Sequence, residues 1–337
     1  MLEIILLVLV AIVVIMFCCK KGKKDHFSPV TSKAIKDMET IVRKYAPKAD
    51  GKDKWGNDVL LVDEVCMKIC CQLALKAAAN GNFGIGCCVY DRVGTLSSML
   101  KDSFLMDDPQ VGAGKIMYKD FLSQMLKSLD PAYLDPKHPH RGILDRIVGV
   151  GFNQLFTQGL LADPKPHVRS DRHGEMVTMD LLEDAIASVQ SSEDKFQTKF
   201  PDGAVLYTQL ESCPMCTGRL ISSSIGEARY GAADNGGGMT SRSCGLPPVF
   251  IGLMNKQKYG PAKVSGNPAE PANPEHLIGL CNSSFLVNIG DVGAKQSNRA
   301  CNMKDGKADC PNFQYCTPDR SPAVLGRAAF DLQGYIR

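Results

Sequence analysis

The sequence predicts an α/β fold, and three pairings of a strand pattern with a helix pattern carry that prediction. Ala204-Val205-Leu206-Tyr207-Thr208-Gln209-Leu210 is an apolar run of strand length, and behind it Cys213 and Cys216 open a helix through Thr217-Gly218-Arg219-Leu220-Ile221. Arg146 to Asn153 is a second strand-like run, followed at Met176 to Val189 by Met179, Leu182, Ala185, Ile186 and Val189 at helical spacing. Val59 to Ala79 sets Val62, Val65, Cys66, Ile69, Cys70, Leu73 and Ala77 on one helical face, and Gly84 to Asp91 follows as a short apolar strand. Strands and helices alternating along one chain are the pattern of an α/β protein.

Taken in order, Leu2 to Cys19 holds one charge, Glu3, in a run of Leu, Ile and Val. It has the length of a short membrane-spanning helix. A signal peptide would carry positive charge before the apolar core and small residues at a cleavage site, and this segment has neither. Residues 1–24 are therefore expected to be a single-pass transmembrane anchor with a basic flank. Lys20, Lys21, Lys23 and Lys24 follow the apolar run, which would place the rest of the chain in the cytosol. Cys18 and Cys19 at that boundary read equally well as lipidated or as ordinary thiols.

Residues 25–57 read as a polar linker holding a short helix near Ser32 to Tyr45, with Trp55 packing at the domain edge. Residues 58–235 read as the folded domain. Asn80-Gly81 ends its first helix. An insertion at 92–145 separates the first two strands; it holds an amphipathic stretch at Ile116 to Leu129 and a Pro/His turn, Pro136 to His140. A connection this long is a candidate lid or partner surface. His138 and His140 there read as ordinary surface histidines. A fourth strand is expected at Ala228 to Ala232. Residues 236–337 form a Gly/Pro/Cys-rich extension, opened by Gly236-Gly237-Gly238 as a flexible run, with a short helix near His276 to Leu280 and no periodicity over Cys301 to Cys316.

Two short motifs sit at the predicted strand-to-helix junctions: His173-Gly174-Glu175, and Cys213-Pro214-Met215-Cys216 about forty residues on. Imidazole and thiolate are zinc ligands, and a catalytic zinc site uses three protein ligands with a fourth position for water. His173, Cys213 and Cys216 supply three. The metal acidifies the water, and Glu175, two residues past the His, is in reach to move its proton. Thiolates at a helix start are favoured by the dipole. A purely structural site has no need of that carboxylate.

With these residues in place, about Val59 to Asp234 resembles the cytidine and deoxycytidylate deaminase superfamily, whose signature is a His-x-Glu followed by Pro-Cys-x-x-Cys. It looks most like the branch of guanine, cytosine and tRNA-adenosine deaminases, through Val150-Gly151-Phe152-Asn153, the two motifs, and Arg229-Tyr230-Gly231-Ala232-Ala233-Asp234. Gly174 stands where the family usually has Ala, and Ser212 where it has Pro; Ser212 is expected to cap the following helix. The resemblance implies a three-layer α/β/α sandwich with a mixed sheet of about five strands. It implies hydrolytic deamination of a nucleobase or nucleoside, with zinc activating a water for attack on the amino-bearing ring carbon, Glu175 as proton shuttle and Asn153 binding substrate. A tRNA or other nucleic-acid deaminase, and a catalytically silent binding module on the same fold, are the alternatives. Family members often form dimers, so a second copy of the chain is an expected partner by resemblance.

Composition weighs between these. The formal charge is +3, with 39 basic residues; less the four lysines at 20–24, 35 stand against 36 acidic ones. A nucleic-acid enzyme usually carries a basic excess, so a small-molecule substrate is favoured. Of 14 cysteines, Cys66, Cys70, Cys71, Cys87 and Cys88 lie in apolar stretches and are expected to pack as small hydrophobes. Cys244, Cys281, Cys301, Cys310 and Cys316 read as disulfides, a second metal site or free thiols.

Overall fold

In the computed structural model, the described residues are 29–106, 115–155, 169–190, 200–223, 225–234, 237–241, 248–254, 256–267, 270, 273–289, 292, 302–304 and 307–309. In chain order the elements are α1 (Pro29–Lys44), β1 (Gly51–Lys52), β2 (Asp58–Val59), α2 (Leu61–Ala79), β3 (Gly86–Asp91), α3 (Thr95–Met99), β4 (Phe104–Met106), β5 (Lys115–Met117), α4 (Tyr118–Leu129), α5 (Arg141–Leu144) and β6 (Ile147–Phe152). They continue with α6 (Gly174–Val189), β7 (Ala204–Leu210), α7 (Pro214–Ser222), β8 (Glu227–Ala232), α8 (Pro248–Met254), β9 (Lys258–Pro261), α9 (Leu277–Leu286), β10 (Asn302–Lys304) and β11 (Lys307–Asp309).

The central sheet has five strands in the order β6-β3-β7-β8-β9. β3 runs antiparallel to both β6 and β7, whereas β7, β8 and β9 are parallel. Side chains alternate across the sheet and separate two helical layers. On one face Cys88 of β3 lies 3.6 Å from Cys70 of α2, and Cys71 of α2 lies 3.6 Å from Cys281 of α9. On the other face Cys87 abuts the first turn of α6, and Arg219 of α7 pairs with Asp180 and Glu183 of α6. The mixed five-stranded sheet between α2/α9 and α6/α7 is the three-layer sandwich expected.

α2 is buried on nearly every side, because α1 and α9 cover what the sheet leaves open, and this includes Asp63 and Glu64. Buried carboxylates must be paired. Asp63 accepts from Arg229, from the Tyr207 hydroxyl at 2.8 Å and from the Lys263 amide at 2.7 Å. Glu64 accepts from the Tyr45 hydroxyl, the Lys48 amide and the Ser265 amide at 2.6–3.0 Å. These bonds tie residues 263–265, and with them the fifth strand β9, to the first core helix. β9 and α9 both lie within the stretch expected as a C-terminal extension.

Several expectations need correction. No helix among the described residues is long and apolar enough to cross a membrane. The longest, α2, has the length but carries Asp63, Glu64, Lys68 and Lys76 and packs in the core. The expected single-pass membrane localisation is therefore not upheld; the segment that suggested it, residues 2–19, lies outside the described residues, as do Cys18 and Cys19. Within the 92–145 insertion, α4 packs into the core: its Tyr118, Phe121, Met125, Leu126 and Leu129 are buried, and the Tyr118 hydroxyl donates to Val148 of β6 at 2.9 Å. Within the stretch read as without periodicity, β10 pairs antiparallel with β11, and these three-residue strands are too short to show a period. Cys66, Cys70, Cys71, Cys87, Cys88 and Cys281 are buried free thiols; Cys244, Cys301, Cys310 and Cys316 lie outside the described residues.

Candidate metal centre

β6 and β7 flank β3 and run in the same direction, so their C-terminal ends meet the starts of α6 and α7 at one end of the sheet. His173 has extended backbone immediately before α6, and Cys213 the same before α7, where Pro214 fills the first helical position. Arg219 holds the two helices together through Asp180 (3.2 Å) and Glu183 (2.5 Å), and Arg172 pairs with the other oxygen of Asp180 at 3.1 Å.

This arrangement brings one nitrogen of His173 and the sulfurs of Cys213 and Cys216 within 4.8 Å of one another. It is the only group of His, Cys, Asp or Glu of that kind among the described residues; His138 and His140 do not form one. Cys213 Sγ lies 3.5 Å from His173 Nδ1. A tetrahedral zinc with Zn–S near 2.3 Å and Zn–N near 2.0 Å needs ligand atoms about 3.5 Å apart, and one imidazole with two thiolates is a donor set suited to zinc. The thiols are already differentiated: a hydrogen bond from Cys216 and the proximity of His173 bring Cys213 down to about 4 against the effect of burial. Cys216 is pushed up by that same bond and by burial. In His173, burial is outweighed by the Cys213 sulfur and Glu175, which raise its pKa.

Glu175, in the first turn of α6, is 3 % exposed, and its Oε2 has no hydrogen-bond partner. Burial first, and the Cys213 charge second, raise its pKa; a hydrogen bond with Ser212 acts the other way. A buried carboxylate oxygen without a partner is costly, and here it stands beside the three convergent donors. The residues fit a metal with an additional polar ligand.

Asn153 sits just past β6. Its amide nitrogen donates to Ile85 at 2.9 Å, and its Oδ1 accepts from the Gly174 amide at 2.6 Å. Its side chain therefore satisfies a free donor at the start of α6. Ser212 does not cap α7. Its carbonyl accepts from the Met239 amide and the Thr217 hydroxyl, while no side chain caps that helix.

Sequence reasoning missed the side chain of Glu211. It is buried, and its two oxygens accept from the Asp234 amide at 3.1 Å and the Ser241 amide at 2.6 Å. Gly237 and Gly238 donate to Asp234, and a side chain at Gly238 would strike the Glu211 carboxylate. The described part of the glycine run is thus pinned against the Glu211-Ser212-Cys213 segment instead of being a free linker. The available signal was an acidic residue immediately after an apolar strand, two positions before the Cys-x-x-Cys motif.

Residues 145–267 match the family model described as MafB19-like deaminase. That span takes in β6 to β9, His173, Glu175, Cys213 and Cys216. No curated protein matches the chain. Among solved structures, the chain is similar at 17 % identity and a TM-score of 0.30 to one from studies of A-to-I editing by tRNA deaminases at the wobble position, covering 55 % of this chain and 89 % of that one. It is similar at 15 % identity and a TM-score of 0.34 to a protein crystallised with 2,6-diaminopurine, covering 70 % of this chain and 84 % of that one. The family match spans the segment that carries both motifs, which converge at one end of a mixed five-stranded sheet, so over residues 145–267 the chain is similar to the MafB19-like deaminases.

Proposed function

We propose that this protein is a zinc-dependent hydrolytic deaminase of a free nucleobase or nucleoside. The observation that carries the reading is the buried carboxylate of Glu175, whose Oε2 has no hydrogen-bond partner, beside His173, Cys213 and Cys216. Those three residues would hold the metal, which when bound supplies a Lewis acid that lowers the pKa of a water. Glu175 Oε2 takes a proton from the attacking water and passes protons to the ring nitrogen and to the departing amine. Water adds at the amino-bearing carbon, the C–N bond breaks, and the products are an oxo ring and ammonia. The raised pKa of Glu175 suits it to both halves of that transfer. Asn153 offers its Nδ2 donor to substrate while its Oδ1 is held by Gly174.

Met215 and Tyr230-Gly231-Ala232 lean toward the base and tRNA-adenosine branch. Val177 stands where a deoxycytidylate deaminase would be expected to carry Asn. The near balance of charge outside the lysine run favours a small substrate over RNA.

The test is ammonia release from guanine, cytosine, cytidine, adenosine and deoxycytidylate, with zinc counted on the same sample. Ammonia from one substrate with about one zinc per chain supports the reading, and Glu175→Ala is then expected to keep the metal and lose turnover. Full turnover by Glu175→Ala, or a folded protein without zinc, would overturn it. Zinc without ammonia from this panel, followed by release from RNA, would replace the small-molecule substrate by nucleic acid.

A further inference from the structure

The insertion and the edge strand β6 enclose a cleft of about 480 Å³. That volume lies within the range of roughly 300–1,000 Å³ typical of small-molecule sites. The cleft shares no lining residue with the metal centre. It opens at the other end of β6: Val148 lines it, and the four strand residues between Val148 and Asn153 put about 17 Å between the two.

The lining divides into a floor and a mouth. Leu100, Leu126, Leu144, Ile147 and Val148 are buried and apolar, and Tyr118 joins them with its hydroxyl already committed to the Val148 carbonyl. The mouth carries Lys101, Lys119 and Arg141 against one carboxylate, Asp145. Arg141 is satisfied by Asp145 and the Tyr133 carbonyl. Lys101 and Lys119 are exposed and have no ion-pair partner among the described residues. In the wall, Ser97 Oγ is shielded from water and has no hydrogen-bond partner.

We propose that this cleft is a second ligand site, separate from the metal centre, for a small amphipathic anion: a compact apolar body carrying one carboxylate or phosphate. The body lies on the leucine floor, and the anionic group sits between Lys101 and Lys119. The apolar floor excludes a fully hydrophilic anion as the preferred ligand, and the surplus of positive charge at the mouth disfavours a neutral or cationic one.

Calorimetric titration of the full chain with decanoate, decyl phosphate and decanol tests this. Saturable binding of either anion is expected, about tenfold or more tighter than decanol, and the stronger of the two names the head group. The double variant Lys101→Glu/Lys119→Glu, altered only at exposed side chains, is expected to lose about tenfold or more in anion affinity at an unchanged melting temperature. Leu122→Trp, which fills the cleft from its half-buried rim, should abolish binding; Ser123→Phe serves if that variant does not fold. Equal affinity for decanol, indifference to the lysine reversal, or no saturable binding of either anion would overturn the proposal.

Discussion

The side-chain oxygen of Asn153 accepts the backbone N–H of Gly174 at 2.6 Å, joining the end of the edge strand β6 to the helix start that presents His173 and Glu175. Asn153→Ala leaves that amide without its partner in a buried setting and should cost about 1–3 kcal/mol. Asn153→Asp keeps an acceptor and should recover most of that stability while turnover stays low, because the Nδ2 donor is gone. Thermal melts and ammonia release on the same two variants separate the roles; equal activity of Asn153→Asp and wild type would remove substrate binding from Asn153.

Stripping the metal with a chelator should lower the melting temperature by several degrees, since a ligand held by the native site and not by the unfolded chain stabilises the fold. Cys216→Ser should show the lowered melting temperature before any chelator is added. Cys281→Ser, altered at a buried thiol under α9 and away from the ligand set, should retain zinc. Metal content by elemental analysis checks both variants.

Glu227 lies between two guanidinium groups, 2.7 Å from Arg92 and 2.6 Å from Arg229. Burial pushes its carboxyl up, but the Arg92 hydrogen bond and the Arg229 charge hold it below the ordinary carboxylate range. A depressed folded-state pKa gives stability that is present above the unfolded value of about 4.3 and is lost as pH falls through the lower folded value. Urea midpoints should therefore fall steeply below about pH 4, and Glu227→Gln should flatten that slope while lowering the midpoint at neutral pH.

The Arg229–Asp63 pair links β8 to α2, with Asp63 fully buried. Removing one partner of a buried pair leaves an uncompensated charge, so Arg229→Leu should destabilise by about 3–5 kcal/mol. Asp63 would keep only the Tyr207 hydroxyl and the Lys263 amide. A shift below about 1 kcal/mol in chemical denaturation would show that the pair contributes little beyond surface ion pairs.

Gly174 stands where the superfamily usually has Ala, and its surroundings supply a reason. A Cβ there would lie 3.2 Å from the Ile85 carbonyl oxygen and 3.3 Å from Cys87 Sγ. Gly174→Ala gains about 1 kcal/mol in helix propensity but must push the start of α6 off β3, at about 1–3 kcal/mol. A net loss is expected. Cys87→Ala should relieve part of it, so a double-mutant cycle should show positive coupling between the two positions.

The convergent His173, Cys213 and Cys216, the buried Glu175, α2, β3, β6, β7 and the opening of α7 were legible in the sequence, because each shows a local period or a residue type that chemistry restricts. The motifs alone placed both segments at strand-to-helix junctions. β9 was not legible: four residues ending in Pro261, none of them buried, have no alternation to read, and only parallel pairing with β8 makes them a strand. In the insertion the helix at Ile116 to Leu129 was legible from its amphipathic period and stands as α4, but burial of its Tyr118 and Phe121 in the core became visible only with β6 beside them.

By itself the sequence named the side chains that converge, His173, Cys213 and Cys216 with Glu175 beside them, since imidazole, thiolate and carboxylate at this spacing leave few other readings. Tertiary structure decided what holds them in place: Asn153 on the Gly174 amide, Arg219 across α6 and α7, and Glu211 on the amides of Asp234 and Ser241. These partners lie between 21 and 39 residues apart in the chain. No local pattern records such pairs, because each bond exists only once the sheet has brought two helix starts and a loop to one end.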